Sequence, residues 1–600
     1  MAVDWSTEWF TSIVWILGVT LGAAIGTAIV GWLLVRSTVW GRQFRRLAFP
    51  YFSPRGPEGV RPLLAALLVL LLTIFSVRIS VLVSYANNDI FTALQKLDPA
   101  GFARGLGTFG VLATVAVALS LFAYYVQQRL IIHFWEWMTD NVLRDWLGDT
   151  AYHRGRFTST AVDNPDQRIQ EDIASFPVTS LSLLTGAISS VVSLVTFTLI
   201  LWQLSGPLTV LGVEIPRAMT LIAYVYVILA TIVAFRLGRP LIRLNFLNEL
   251  LRASFRYALV RLRDNSESIA FHRGERVERA TLGSRFTAVI ANAWGIVFRT
   301  LKFNGFNLAV DQSSVVVTLI AQAPRYFAGQ VTYGDIAQSS QAFDQVFNSL
   351  SFFRNAYDTF AGYRAVLIRL TGLLDADAEA RALPSVSLEE GDGVQVRDLT
   401  VRLPDGQVLV DDLDLSLASG ASLFVTGPSG SGKTTLLRSM ADLWPWAQGT
   451  VRRPVGDGAL FLSQQPYLPL GSLRTALAYP EPATDVDDGQ AAAVLRQVQL
   501  PQLVERLDDQ TDWSRRLSPG EQQRLGFARV LLTRPRVVFL DEATSALDEG
   551  LEHTLYTLLR EELPDAVIVS VGHRSTLNQF HDERLELLGE GRWQVAALSR

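Results

Sequence analysis

The sequence predicts two unlike halves: a polytopic α-helical membrane domain, then an α/β domain built around a phosphate-binding loop. Three observations carry this. Long apolar runs fill the N-terminal side, each with the residue count a helix needs to cross a hydrocarbon core. The run Gly427-Pro428-Ser429-Gly430-Ser431-Gly432-Lys433-Thr434 fits G-x-x-x-x-G-K-S/T between a short apolar strand, Ala421 to Thr426, and a helix start, Thr434 to Leu443. Farther on, the apolar strand Val537 to Leu540 ends in two acids, Asp541 and Glu542.

Bulk properties narrow the field. A chain of 600 residues is too long for one core, so at least two domains are expected. It is 49% apolar with a mean hydropathy of +0.24, high for a soluble protein. A net charge of −4 gives no basis for a nucleic-acid partner. The absence of cysteine excludes disulfides, cysteine–zinc sites and iron–sulfur clusters, and the six histidines are scattered without H-E-x-x-H. The first apolar run follows an acidic start, Asp4 and Glu8, and lacks a clear cleavage site, so no cleaved leader is expected.

The membrane half reads as follows. A first span covers about Ser12 to Val35 and is followed by Arg36, Arg42, Arg45 and Arg46, a basic cluster that belongs on the cytoplasmic side. Gly41 to Phe52 mixes Arg with aromatic residues, as a surface-lying segment does. Further spans are expected at about Leu63 to Tyr85, from Leu106 past Tyr125 into a polar helical stretch ending near Trp146, at Leu181 to Leu204 and at Ala218 to Phe235. A charged helical region then runs from Arg239 to Phe286, and a sixth span from Trp294 to Ala323. The last helix, Ile336 to about Leu374, carries Gln338, Gln341, Gln345, Asn348 and Asn355 on one face, with Asp344 beside it. A span with such a stripe should face a water-filled cavity. Counting it gives seven spans, with lipid around them, the N-terminus outside and the basic cluster inside. Arg78, within the second span, is either a functional charge or a helix-paired one. The division expected is a membrane domain over 1–376, a linker over 377–393 and a nucleotide-binding domain over 394–600.

In the second half, Val394 to Leu403 and Val408 to Leu417 read as strands around Pro404-Asp405-Gly406. Glycines let the loop N–H groups close on phosphate oxygens, and the helix N-terminus adds positive potential. Lys433 can reach the outer phosphates, while Thr434 and Asp541 can hold Mg²⁺. Glu542 is placed to polarise a water. The expected ATP contacts run from Gly427 through Thr434 and on to Thr435.

Leu517-Ser518-Pro519-Gly520-Glu521-Gln522-Gln523-Arg524 resembles the LSGGQ-type signature of ATP-binding cassette (ABC) proteins, with Pro519 in place of the usual first glycine. Gln464 resembles the Q-loop glutamine, Ser545-Ala546-Leu547-Asp548 the D-loop and His573 the switch histidine. Asp163-Asn164-Pro165-Asp166-Gln167-Arg168-Ile169, and Ser266 to Glu275, look like motifs shared by peroxisomal half-transporters and bacterial SbmA/BacA-type transporters. The extra N-terminal span and the polar stripe favour the second group, in its mycobacterial form fused to a cassette.

The resemblance implies an ABC-exporter type membrane fold joined to an ABC ATPase. It implies a homodimer that binds two ATP head to tail, with Glu542, His573 and Gln464 catalytic and Thr434, Gln464 and Asp541 around Mg²⁺. Ser518 and Gly520 would come from the other copy. Asp166, Arg168, Arg273 and Glu275 would carry motion to the cassette. It further implies ATP-driven uptake, across the cytoplasmic membrane, of a hydrophilic solute such as cobalamin or an antimicrobial peptide. The aromatic residue that stacks on adenine is expected near Val401 to Pro404, where this chain has Leu403. Three alternatives stay open. Efflux in whole cells would mark an exporter of drugs or lipids. ATPase stimulation by acyl-CoA would mark an acyl-CoA transporter. Flux without ATP turnover would mark a channel or regulator.

Overall fold

The computed structural model describes residues 4–56, 58–158, 164–210 and 213–598, without the side chains of 208–215, 353–355 and 358. The chain forms two compact units. One comprises Met1–Asp145 with Asp163–Leu374, the other Trp146–Val162 with Asp375–Arg600.

The first unit is helical. Asp4 caps the helix Trp5–Ser37, accepting from the Ser6 N–H. Thr38 ends that helix and caps the next, Val39–Phe52, through a bond from the Gly41 N–H to its hydroxyl. Gly41 is required there, because a Cβ would stand 2.4 Å from the Leu34 carbonyl oxygen. Val39–Phe52 is the stretch expected along the membrane surface. It buries Leu47, Ala48 and Tyr51, and Tyr51 stacks on Phe134 with centroids 4.5 Å apart.

Five of the described helices are long and apolar enough to cross a bilayer: Trp5–Ser37, Arg61–Gln95, Pro99–Phe157, Pro165–Leu204 and Ala218–Asp264. The sixth and seventh expected spans are present as helices, Glu275–Phe327 and Tyr333–Ala382. They fall outside that set because polar residues such as Asn304, Asp311 and Gln312, and Gln341, Asp344 and Gln345, dilute their apolar surface.

Other boundaries differ from expectation for identifiable reasons. The fifth span and the charged region after it begin as one helix, Ala218–Asp264, of 47 residues. At 1.5 Å per residue it is about 70 Å long and projects well past a core of about 30 Å. Its Arg, Leu and Glu residues favour helix as strongly as the apolar ones do, so the change in polarity does not end it. The segment read as a linker contains the end of the helix Tyr333–Ala382 and a strand, Ser387–Glu390.

The motifs expected to reach the cassette belong to the membrane unit. Asp163 lies outside the described residues. Arg168 donates to the Arg369 carbonyl at 3.0 Å. Arg273 (φ +50°) turns the chain between the helices Ser266–Phe271 and Glu275–Phe327. The preceding segment is the one that folds with the ATPase unit. Arg154, 7% exposed, donates to the carbonyls of Ala380, Leu383 and Pro384 at 3.2, 2.6 and 2.8 Å. It thereby satisfies the open C-terminal end of Tyr333–Ala382. Phe157 lies edge-on to Trp444 and Trp446, at 5.3 and 5.4 Å.

Arg78 is helix-paired. It is bonded to the Glu8 carboxylate, donates to the Ser12 hydroxyl at 3.0 Å and lies over the Trp15 ring at 5.2 Å. Trp5 adds a bond to Asp89 at 2.9 Å. The first helix is therefore latched to Arg61–Gln95 by charge where lipid would otherwise meet an uncompensated cation.

The ATPase unit has two large sheets and a two-stranded ribbon of Gly471–Ser472 and Gln510–Thr511. The six-stranded one runs Arg592–Ala597, Glu583–Gly589, Ser422–Thr426, Val567–Val571, Val537–Asp541, Ala459–Leu462, and its five inner pairings are parallel except for the first hairpin. The four-stranded one runs Ser387–Glu390, Ala447–Arg453, Val394–Arg402, Val408–Leu417.

Arg78→Met or Glu8→Gln alone should destabilise the protein by about 3–5 kcal/mol, because each strands one buried charge. Replacing both should restore most of the loss. Thermal unfolding in detergent checks this: equal losses for single and double variants would contradict the latch.

Candidate functional site

The parallel strands Ser422–Thr426, Val567–Val571 and Val537–Asp541 lie side by side, with Val425 opposite Val571 and Val571 opposite Asp541. Their carboxyl ends therefore deliver the phosphate loop, the residues after Val571 and the acid pair to one edge, where ligands of open α/β sheets bind. The apolar side chains of all three strands are buried on both faces, which makes them the interior of the sheet.

The loop depends on glycine at two points. Gly427 has φ +147° and Gly432 φ +98°, and a Cβ on Gly427 would stand 2.6 Å from the Leu587 carbonyl oxygen. Gly432 then leads into the helix Lys433–Met440, which opens without a side-chain cap, so its first N–H groups face the loop. The Lys433 ammonium donates to the Gly427 and Pro428 carbonyls, each at 3.0 Å. Burial lowers its pKa, opposed by the charges of Glu542 and Asp541. The Ser431 hydroxyl is buried without a hydrogen-bond partner. An orphaned hydroxyl, free helix N–H groups and an ammonium around a glycine-lined hollow form a cradle for a polyphosphate.

The acid pair meets this cradle. Thr434 donates to Asp541 Oδ1 at 3.0 Å. Burial raises the Asp541 carboxyl, and the bond from Thr434 offsets part of that. Glu542 sits at φ +51°, and its N–H bonds the Val571 carbonyl at 3.0 Å. This strained turn aims its carboxylate at His573, whose Nε2 lies 3.1 Å from Glu542 Oε1. Lys433, Thr434, Asp541, Glu542 and His573 thus converge. Gln464 is exposed just past the edge strand Ala459–Leu462.

Ser518 and Gly520 stand apart, at the start of the helix Pro519–Thr533. Ser518 and Glu521 form a capping box: Glu521 Oε2 accepts from the Ser518 N–H and hydroxyl at 2.9 and 2.8 Å. The bond from the Ser518 backbone holds the Glu521 carboxyl below its usual range. Pro519 occupies the first helical position, where a missing N–H is harmless, so the departure from glycine is compatible with the helix start.

Two residues escaped the sequence reading. Arg529 is buried and donates to the Tyr467 and Ala476 carbonyls at 3.1 and 2.6 Å, and burial drops its pKa to about 10. Gln523, 2% exposed, bonds the Gln464 carbonyl at 2.9 Å. Gln523 is the seventh residue of the signature motif and Arg529 lies just beyond it, and only their apolar helical surroundings hinted at burial.

The arrangement defines a phosphate-loop ATPase fused to a multi-pass membrane domain. Residues 51–327 match the family described as ABC transporter transmembrane region 2, and residues 410–545 match the ABC transporter family. An uncharacterized ABC transporter ATP-binding protein of Haemophilus influenzae is 46% identical over 99% of this chain and 100% of its own length. The chloroplastic ABC transporter D family member 2 of Arabidopsis thaliana is 31% identical, over 92% of this chain and 86% of its own. The human lysosomal cobalamin transporter ABCD4 is 28% identical, over 92% and 95%. A solved bacterial Atm1-family ABC exporter with ATP bound shares the fold, with a TM-score of 0.67 at 18% identity over 90% of this chain and 95% of that one. The chain belongs to the ABC transporter family. It is a membrane protein with a cytoplasmic ATPase domain that couples ATP hydrolysis to transport.

Leu403 occupies the position expected for an adenine-stacking aromatic, and it packs against the core between the two large sheets. Leu403→Tyr should lower the KM for ATP about fivefold or more, since a base–aromatic stack is worth about 1–3 kcal/mol. Steady-state ATPase assays check this, and an unchanged KM would show that the base is held elsewhere.

Proposed function

We propose that the chain works as a homodimer in the cytoplasmic membrane and imports bulky hydrophilic solutes, such as cobalamin and antimicrobial peptides, in the manner of SbmA/BacA-like transporters. The observation that carries this reading is the polar face of the helix Tyr333–Ala382. Ala342, Phe343, Val346 and Phe347 are buried, whereas Asp344 and Asn348 are exposed and Gln341 and Gln345 half-buried. Asp344 is eleven residues into the helix, about 16 Å along it, which is near the middle of a core of about 30 Å. On the adjacent helix, Asp311 is exposed and Ser314 donates to Asp344 at 3.3 Å. Carboxylates at that depth belong in water, not lipid, and carboxamides beside them suit a polar cargo. The outer end of the same face is closed by side chains: Asn88 bonds Gln338 and Asp335 at 2.7 and 3.1 Å. The Asn355 side chain lies outside the described residues. The relation to a cobalamin transporter supports the cargo class.

At the ATPase site, Lys433 and the loop N–H groups hold the outer phosphates and neutralise charge as the γ-phosphoryl group leaves. Thr434 and Asp541, with Gln464, offer the hydroxyl, carboxylate and carboxamide oxygens that suit Mg²⁺, which would shield the phosphate oxygens when bound. Glu542 takes the proton of the attacking water, and His573 fixes the carboxylate that receives it. The Ser518–Gly520 helix N-terminus of a second copy completes the phosphate site, which makes the closed dimer the hydrolysing form.

Uptake of labelled cobalamin, with a labelled hydrophilic peptide in parallel, tests this in a host lacking its own route. The native chain should import both. Glu542→Gln should import neither, since loss of a general base costs about 100-fold or more in turnover. Gln341→Leu/Gln345→Leu/Asn348→Leu should abolish uptake while ATP hydrolysis continues. Uptake surviving the triple change would overturn the cavity reading, and uptake by Glu542→Gln would point to a channel.

A further inference from the structure

Gln523 joins three separate parts of the ATPase site. It lies one turn into the helix Pro519–Thr533 and is almost wholly enclosed, at 2% exposure. Its Nε2 donates to the Gln464 carbonyl at 2.9 Å and to the Ser545 hydroxyl at 3.1 Å. Its Oε1 accepts from the Ala546 N–H at 3.0 Å. A carboxamide has two N–H groups and one carbonyl oxygen. Here they are directed at two other segments, one bond to the Gln464 carbonyl and two to the Ser545–Ala546 turn.

The three segments are those that carry the chemistry. Gln464 follows the edge strand Ala459–Leu462. Ser545 is tied back to the acid turn, because its N–H bonds the Glu542 carbonyl at 3.1 Å. The helix bearing Gln523 starts at Ser518 and Gly520. A Cβ on Gly520 would come within 3.2 Å of the Ala546 carbonyl oxygen, so the helix start and this turn are already in close contact. No other described side chain bonds both the Gln464 carbonyl and the Ser545–Ala546 turn.

We propose that Gln523 is a positioning residue for hydrolysis. It holds the Gln464 segment, the turn that follows Glu542 and the Ser518–Gly520 helix start as one body. Moving any of the three moves the other two, because the buried carboxamide cannot release one partner to water and keep its remaining bonds. The consequence for cooperativity rests on the dimer reading above. If Ser518 and Gly520 face the nucleotide of a second copy, occupancy of that site is transmitted through Gln523 to Gln464 and Glu542 of its own.

The test uses the full-length protein in lipid nanodiscs. Gln523→Met keeps the length and removes all three bonds. Its kcat for ATP should fall tenfold or more, with nucleotide affinity, read with a fluorescent ATP analogue, within twofold of the native chain. Gln523→Glu keeps the acceptor for the Ala546 N–H but loses both donors while ionised. Its kcat should recover relative to the native chain as the pH falls, because the protonated acid again donates one bond toward Gln464 or Ser545. A residue that merely fills space would not give that pH profile. A kcat within twofold of native for Gln523→Met, or an activity of Gln523→Glu that tracks the native pH profile, would overturn the proposal. If Gln523→Met does not fold, the pH profile of Gln523→Glu decides alone. A native protein that stays monomeric with ATP bound, by light scattering, with the kcat loss and pH recovery intact, would sink the dimer reading while leaving the positioning role in place.

Discussion

The register of three parallel strands is the constraint on which the chemistry depends. Val425, Val571 and Asp541 stand level across the sheet, so a loop, and a histidine and two acids more than a hundred residues beyond it, emerge at one edge. A slip of one residue would exchange the side chains packed on the two faces of the sheet and carry Asp541 away from Thr434. The 3.0 Å bond between those two is thus a readout of sheet register as well as a local contact. The glycine conformations and the strained Glu542 turn are tolerated because the buried strands on either side over-determine them.

The membrane half faces a different demand: a charged or strongly polar group there is costly unless it meets another polar group or water. Arg78 meets Glu8 and Ser12, which ties the N-terminal helix to the bundle. Asn88, Gln338 and Asp335 meet one another, as do Gln322 and Ser339 at 2.9 Å. Asp344 and Asn348 are exposed at the surface of the unit, and under the proposed function they face the solute path. In the ATPase unit the same economy operates at Arg154, whose guanidinium closes the carbonyl end of the longest C-terminal helix.

Residues whose chemistry lies in one contiguous run were legible in the sequence. The phosphate loop, the Asp541–Glu542 strand and the Ser518 helix start each carry their own local signature, and the structure forms the expected elements around them. Long apolar helices were legible too, because hydropathy depends on composition alone. Their ends were not: the helix Ala218–Asp264 runs straight from apolar to charged residues, since both kinds favour the same backbone. Long-range partners were also hidden. Arg154 sits in an unremarked His-Arg-Gly-Arg stretch, and its three carbonyl partners lie more than two hundred residues away. The bond from Arg168 to the Arg369 carbonyl likewise spans two hundred residues. Gln523 was read as one letter of a motif, and only the fold reveals what its carboxamide joins.

The central claim is that phosphate chemistry at this sheet edge drives a polar solute inward past the striped helix. Its most direct test uses sealed lipid vesicles with the ATPase domain facing outward, preloaded with labelled cobalamin and given external ATP. Import in the cell corresponds here to movement from lumen to bath. The account predicts ATP-dependent loss of the label in step with phosphate release, both abolished by Lys433→Ala. Accumulation from bath to lumen, or label loss that persists in Lys433→Ala, would contradict it.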